Sequence, residues 1–396
     1  MGDPPAPTTW PGHGPWLASS RVLFALLALY AALVVPWWWW IAPARPPGWH
    51  AHEMFFAIGG GALAGYVPTA CTSWTGRAPV AGRPVMVLAA LYVLARGVML
   101  LPPNALPRWA FAFATGAFLW WVVVIVTREL VRSGRPPARI GLYPCAVVAF
   151  CGVAGTASAW FGSALMTRPV GFAPGETLIL LFSLLLAGVG GRMVPAFLST
   201  ADERVGNPPT PPSRYGRLPF LLTLGAAILA GGVRPVSAVL GLVAGLLIAW
   251  HMRTWPWRAA RHDGLAAMTL VAYTCLPVGL VLWNLTRLTL AWLPPTVLTS
   301  TSVSHVLTIG ALCGLVVAVM TRAPARRGVG RLHVRIPALV GFVLILLTAL
   351  LRVAGLDELS VIPWTAGWVL VLVAHTHHFR DPLPRPVFSA RRLPRG

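Results

Sequence analysis

The side chains most suited to chemistry in this chain are histidines at the edges of long apolar runs. His50 and His52 open one such run in Trp49-His-Ala-His-Glu-Met54, and His305 opens a later one. Neutral imidazole is the commonest metal ligand and a usual axial ligand of haem iron. Two histidines at one depth on different helices could hold a haem, or they could simply bond headgroups and backbone. Residues 50 and 52 point about 200° apart on a helix, so only one can face a bundle centre.

Arginines and a histidine cluster form a second group of candidates. Arg96 and Arg352 lie near the ends of later apolar runs, where a guanidinium can grip a carboxylate such as a haem propionate or extend to the lipid headgroups. Arg192 could line a cavity or extend in the same way. The run His375-Thr-His377-His378 could bind a metal or anchor a helix end.

Composition shows which elements must position these residues. The chain has 396 residues, of which 57% are hydrophobic and 10% charged, so it lacks the charge of a soluble surface. Apolar runs of about 20 residues match the thickness of a bilayer, and in lipid they must be helical. We therefore predict an all-α membrane protein with about twelve transmembrane helices in a lipid bilayer, at 22–41, 53–72, 84–101, 107–127, 141–161, 176–198, 218–233, 236–252, 264–284, 302–320, 336–354 and 360–378.

The net charge of +21 comes wholly from arginine. Twenty-three of the 31 arginines lie in one set of alternate connections and at the termini, and six lie in the other set. This asymmetry indicates membrane orientation rather than nucleic-acid binding. It predicts a cytoplasmic segment 1–21, one membrane domain 22–378 and a basic cytoplasmic tail 379–396. The first apolar run ends in Trp37-Trp38-Trp39-Trp40, which favours a retained helix over a signal peptide.

The second and tenth predicted helices share a pattern. His52 and Gly61 are nine residues apart, as are His305 and Gly314. The helix that follows each of them carries an arginine near its end. This pattern suggests three repeated units of four helices.

Four stretches together resemble the NnrS family of bacterial membrane proteins. They are Trp49-His-Ala-His-Glu-Met54, Ser73-Trp-Thr-Gly-Arg77, Gly190-Gly-Arg-Met-Val-Pro-Ala-Phe197 and Ser304-His-Val-Leu-Thr-Ile-Gly-Ala311. The resemblance implies twelve helices, a place in the bacterial inner membrane, and a link to haem, copper and the response to nitric oxide and nitrosative stress. This chain departs from the family pattern at Thr72-Ser73, and at Leu270, where a histidine is expected. The second departure makes the copper less secure.

The architecture is also similar to the catalytic subunit of haem–copper oxidases, where histidines of helices 2 and 10 hold the low-spin haem. By this analogy His52 and His305 are the expected axial ligands, with His50 as a substitute for His52. Arg96 and Arg352 are the expected propionate partners, and nitric oxide is the expected ligand. The alternatives are a secondary transporter and an accessory protein that handles haem or copper. The sequence assigns no catalytic reaction.

Overall fold

The computed structural model describes residues 9–10, 12–42, 47–102, 105–165, 173–207, 216–288, 299–327, 332–385 and 387–388. Parts of the predicted terminal segments, and the connection that contains Arg45, lie outside the described residues.

Each of the twelve predicted spans falls on a helix. The helices are α1 Ser19–Ile41, α2 Gly48–Thr75, α3 Arg83–Met99, α4 Arg108–Arg132, α5 Leu142–Leu165, α6 Gly175–Arg204, α7 Leu218–Gly232, α8 Arg234–Met252, α9 Gly264–Leu288, α10 Ser300–Arg322, α11 Ile336–Val353 and α12 Asp357–Phe379.

Within the described residues, ten of these helices are long and apolar enough to cross a membrane. The other two, α3 and α7, are shorter. The 17 residues of α3 rise about 26 Å, slightly less than the hydrocarbon core. The all-α membrane fold is confirmed, and the count of twelve crossings stays a prediction.

The chain divides into two compact units. The first comprises Met1–Ala31, Pro43–Gly171 and Leu372–Arg392, and the second comprises Ala32–Ala42, Phe172–Val371 and Leu393–Gly396. Small residues let helices approach closely within each unit, as is common in membranes. In the first, a Cβ added to Gly116 of α4 would lie 2.8 Å from the Gly155 carbonyl oxygen of α5. In the second, a Cβ added to Gly245 of α8 would lie 3.2 Å from the Pro277 carbonyl oxygen of α9. The predicted single membrane domain 22–378 stays a prediction.

Two short antiparallel ladders lie outside the long helices. Strand β1 (Thr9–Trp10) pairs with β4 (Leu383–Pro384), and β2 (Arg326–Arg327) pairs with β3 (Leu332–His333). The first ladder joins a segment before α1 to a segment after α12. The two terminal segments therefore lie together, on the same side of the helices that they flank.

In the part of the chain that the structure describes, three helices contain a π-helical segment. These segments are Trp37–Ile41 in α1, Glu53–Gly59 in α2 and Val306–Cys313 in α10. The π geometry is rare and often marks functional sites. Two of the three segments begin directly after the candidate ligands His52 and His305.

Candidate functional site

The start of α2 is fixed beside the end of α3. Trp49 donates a hydrogen bond from Nε1 to the carbonyl oxygen of Met99 at 2.8 Å. His52 follows within one turn of Trp49, and the π-helical segment Glu53–Gly59 begins immediately after it. This arrangement brings His52 and Glu53 to the level of Arg96 on α3.

Glu53 is the centre of a buried charged cluster in the first unit. Nη1 of Arg96 lies 2.7 Å from each carboxylate oxygen of Glu53, and the Tyr30 hydroxyl donates to Oε2. Glu53 is fully buried and Arg96 is 4% exposed. Nε and Nη2 of Arg96 make no hydrogen bond within the described part of the chain. An unpaired carboxylate here would carry a large desolvation cost, which the guanidinium offsets.

Both ring nitrogens of His52 are occupied. Nδ1–H donates to Oε1 of Glu53 at 2.9 Å, while Nε2 lies 3.2 Å from both the carbonyl oxygen and the hydroxyl of Ser158 on α5. A Cβ added to Gly162 would lie 3.2 Å from Nε2. The imidazole is fully buried, so its Nε2 faces the packed surface of α5.

His305 opens α10 in the second unit, in a different chemical setting. The helix begins with Thr299 as its N-cap, whose side chain accepts a hydrogen bond from the Ser302 amide at 3.0 Å. Nδ1 of His305 lies 3.3 Å from the Ser302 carbonyl oxygen. Nε and Nη2 of Arg352 each lie 3.3 Å from its Nε2. The Nη1 atom of Arg352 forms an ion pair with Asp357 at 3.0 Å.

These contacts fix the tautomer of His305. A guanidinium can only donate, so Nε2 of His305 must accept and the proton lies on Nδ1. A donor bond from Nδ1–H to a backbone carbonyl is the usual second contact of a metal-ligating histidine. His305 therefore fits a metal or haem ligand, with its Nε2 lone pair facing the guanidinium of Arg352. His52 makes the same kind of Nδ1–H contact, to the Glu53 carboxylate, but its Nε2 is packed against Ser158, so its role as a ligand stays a prediction.

The two clusters are alike in construction. Each places a histidine directly before a π-helical segment, with an arginine from the end of the following helix and a nearby carboxylate. The two arginines make different contacts, however. Arg96 binds the carboxylate of Glu53, whereas Arg352 contacts the imidazole of His305 as well as the carboxylate of Asp357. This likeness supports the predicted equivalence of α2 and α10, and the threefold repeat stays a prediction.

The remaining predicted residues lie on α2, α6 and α12. His50 is half-buried in the first turns of α2, and Arg192 is exposed on α6. At the end of α12, His375 is buried and donates from Nε2 to the Arg21 carbonyl oxygen at 3.0 Å. Its ring lies 5.2 Å from that of His378, which is also buried. No group of three or more metal-ligating side chains occurs among the residues that the structure describes.

Sequence reasoning missed a third charged network, in the second unit. Glu176 of α6 binds Nη2 of Arg287 at 2.8 Å and Nη2 of Arg234 at 3.1 Å. Arg287 also donates from Nη1 to the Asn284 side chain at 2.8 Å. The scarcity of acidic residues, ten in the whole chain, was the signal that could have drawn attention to Glu53 and Glu176.

The fold and these clusters define a polytopic all-α membrane protein with a buried histidine near the start of each of two helices, beside an arginine and a carboxylate. The chain belongs to the NnrS family, because the model of that family, described as "NnrS protein", matches residues 16–382. The match begins just before α1 and ends just after α12, so it covers both clusters. A comparison with curated proteins finds no match.

Proposed function

We propose that this protein is an NnrS-type haem-binding membrane protein that acts in the response to nitric oxide and nitrosative stress, with His305 as an axial ligand. One observation carries the proposal: the contacts of His305 place its proton on Nδ1 and leave Nε2 as an acceptor, which Arg352 contacts. Family membership supplies the expectation of haem and nitric oxide, and His305 is the described imidazole whose setting suits it best.

The side chains around His305 have distinct tasks in this proposal. The Ser302 carbonyl holds Nδ1–H and so orients the ring. Arg352 covers Nε2, and its guanidinium can turn towards an acidic group such as a propionate while Asp357 retains its Nη1. The haem iron would supply the position that binds nitric oxide.

His52 requires a rearrangement before it can serve as the second ligand. Its Nε2 would have to leave Ser158, and the close packing at Gly162 opposes that movement. Its role as a ligand stays a prediction, as do the propionate contact of Arg96 and the substitution of His50 for His52. Copper is proposed only through the family resemblance.

The proposal predicts a coloured protein with a Soret band after purification in detergent. His305→Ala should remove most of that band, because the substitution deletes the donor atom while leaving the Arg352–Asp357 pair in place. Addition of nitric oxide should shift the band of the wild-type protein. The haem content is measured against protein concentration in the same samples.

His377→Ala is the matched control, since His377 is an exposed histidine at the end of α12. It should leave the spectrum unchanged. Monodisperse elution and an unchanged melting temperature for the His305 variant would show that the loss of haem is not a loss of fold. A full low-spin spectrum in folded His305→Ala protein would refute the ligand assignment.

A secondary transporter is the second candidate, and the buried ion pair of Glu53 and Arg96 favours it. Ionisable pairs at membrane depth often mark transport or proton-transfer paths. A transporter of this kind would bind no haem, so the purified protein would be colourless. An accessory protein for haem or copper would instead carry an exchangeable and substoichiometric cofactor, so the same spectrum separates the three functions.

A further inference from the structure

A cavity of about 230 Å³ lies in the first unit, where α2 ends, α3 begins and α4 ends. The functional clusters described above do not use it. Its charged lining consists of three arginines and one glutamate, with apolar residues beside them: Arg77, Arg128, Glu129, Arg132, Val80 and Pro84. The arginine distribution predicts that this is the cytoplasmic side.

The stretch Ser73-Trp-Thr-Gly-Arg77 leads into this cavity, and its last residue, Arg77, is part of the lining. The helix α2 ends at Thr75, and Gly76 follows in the left-handed conformation with φ +73°. This backbone conformation favours glycine, whereas the close contact that a Cβ at Gly76 would make with Nη2 of Arg135 could be relieved by movement of that flexible side chain. The turn directs Arg77 to the end of α4, where its Nε donates to Glu129 at 2.7 Å.

Arg128 and Arg132 give the cavity an excess of positive charge. They are one turn apart on α4, both are exposed, and the described structure gives neither side chain a hydrogen bond or an ion pair. Like charges at this spacing repel each other. The single carboxylate of the cavity, Glu129, already pairs with Arg77. An anion in the cavity would relieve this repulsion.

The position of the cavity narrows the chemistry of that anion. The Trp74 ring, at the end of α2, packs edge-on against Tyr143 at 5.9 Å, and such aromatic pairs are typical of the membrane–water interface. Guanidinium groups bind phosphate oxygens in paired hydrogen bonds, and basic pockets between helices on this side bind anionic headgroups. We propose that Arg128 and Arg132, with Arg77 beside them in the cavity lining, bind a phosphate group, carried either by an anionic lipid headgroup or by free phosphate.

The test measures the melting temperature of the purified full-length protein in a neutral detergent. It compares wild type, the double variant R128Q/R132Q and the double variant R258Q/R261Q. The last is the matched control, because it removes the same charge from two exposed arginines outside the cavity. Each protein is titrated with short-chain phosphatidylglycerol, with phosphatidylcholine of equal chain length and with inorganic phosphate.

Phosphatidylglycerol should stabilise wild type and the control equally, and phosphatidylcholine should have little effect. R128Q/R132Q should bind phosphatidylglycerol about thirtyfold more weakly, since each arginine near an anionic group contributes about a fivefold factor. Saturable stabilisation by inorganic phosphate, lost in the same variant, would identify free phosphate as the source. The proposal fails if neither ligand stabilises wild type, or if R128Q/R132Q responds like R258Q/R261Q.

Discussion

At the scale of single residues, the two histidines show how neighbours decide what an imidazole can do. Each ring nitrogen of His52 already has a neighbour, because the Glu53 carboxylate binds Nδ1 and Ser158 lies against Nε2. His305 has a carbonyl on one nitrogen and a cation on the other, so its lone pair must point at the guanidinium. The sequence predicted both histidines as one kind of ligand, because the partners of a ring are not visible in helical spacing.

The pair formed by Glu53 and Arg96 is the residue-scale feature with the clearest energetic consequence. Arg96→Leu would leave a buried carboxylate without its cation, and we expect a loss of about 3–5 kcal/mol of stability. Replacing both partners, Glu53→Leu with Arg96→Leu, should recover most of this loss because no uncompensated charge remains. Thermal unfolding of the two variants in one detergent measures the difference, and a single variant as stable as wild type would contradict it.

At the scale of elements, hydropathy located the helices well and their ends poorly. Every predicted span falls on a helix, yet α4 continues through Arg132 and α6 through Arg204, past the predicted ends at 127 and 198. The apolar pattern reports where the lipid ends, whereas a helix stops where its backbone is capped. The π-helical segments after His52 and His305 were not predictable either, since their residue types also suit an ordinary α-helix.

Glycines on α5 allow an element-scale test of the packing around His52. A Cβ at Gly162 would lie 3.2 Å from Nε2 of His52 and from Oγ1 of Thr115. Gly162→Ala should therefore destabilise the protein by about 1–3 kcal/mol, because this tightly packed site must open. Gly152 on the same helix is the control, with its nearest neighbour at 3.8 Å.

Gly152→Ala should be neutral or slightly stabilising, because alanine favours helix over glycine. The test compares the melting temperatures of Gly162→Ala and Gly152→Ala with that of the wild-type protein. Equal melting temperatures would mean that α5 does not press on the imidazole.

At the scale of the whole molecule, the arginine distribution and the contacts between the terminal segments both bear on the orientation of the chain in the membrane. The ladder between Thr9–Trp10 and Leu383–Pro384 places the two terminal segments together. Arg21 strengthens this link by donating from Nη1 to the carbonyl oxygens of Gly14 at 3.0 Å and Phe379 at 3.2 Å. This arrangement agrees with the predicted even number of membrane crossings, and the arginine asymmetry predicts which side the ends occupy.

Reporter fusions test that orientation. A reporter active only in the cytoplasm should function when it is fused after Gly396, since the tail carries part of the arginine excess. Fused after Arg45, between α1 and α2, it should be inactive, because one crossing separates that point from the N-terminus. A reporter active only outside the cytoplasm should give the opposite pair of results and controls for expression. Activity of the cytoplasmic reporter after Arg45 would mean that α1 does not cross the membrane as the tryptophan-rich end of its apolar run predicts.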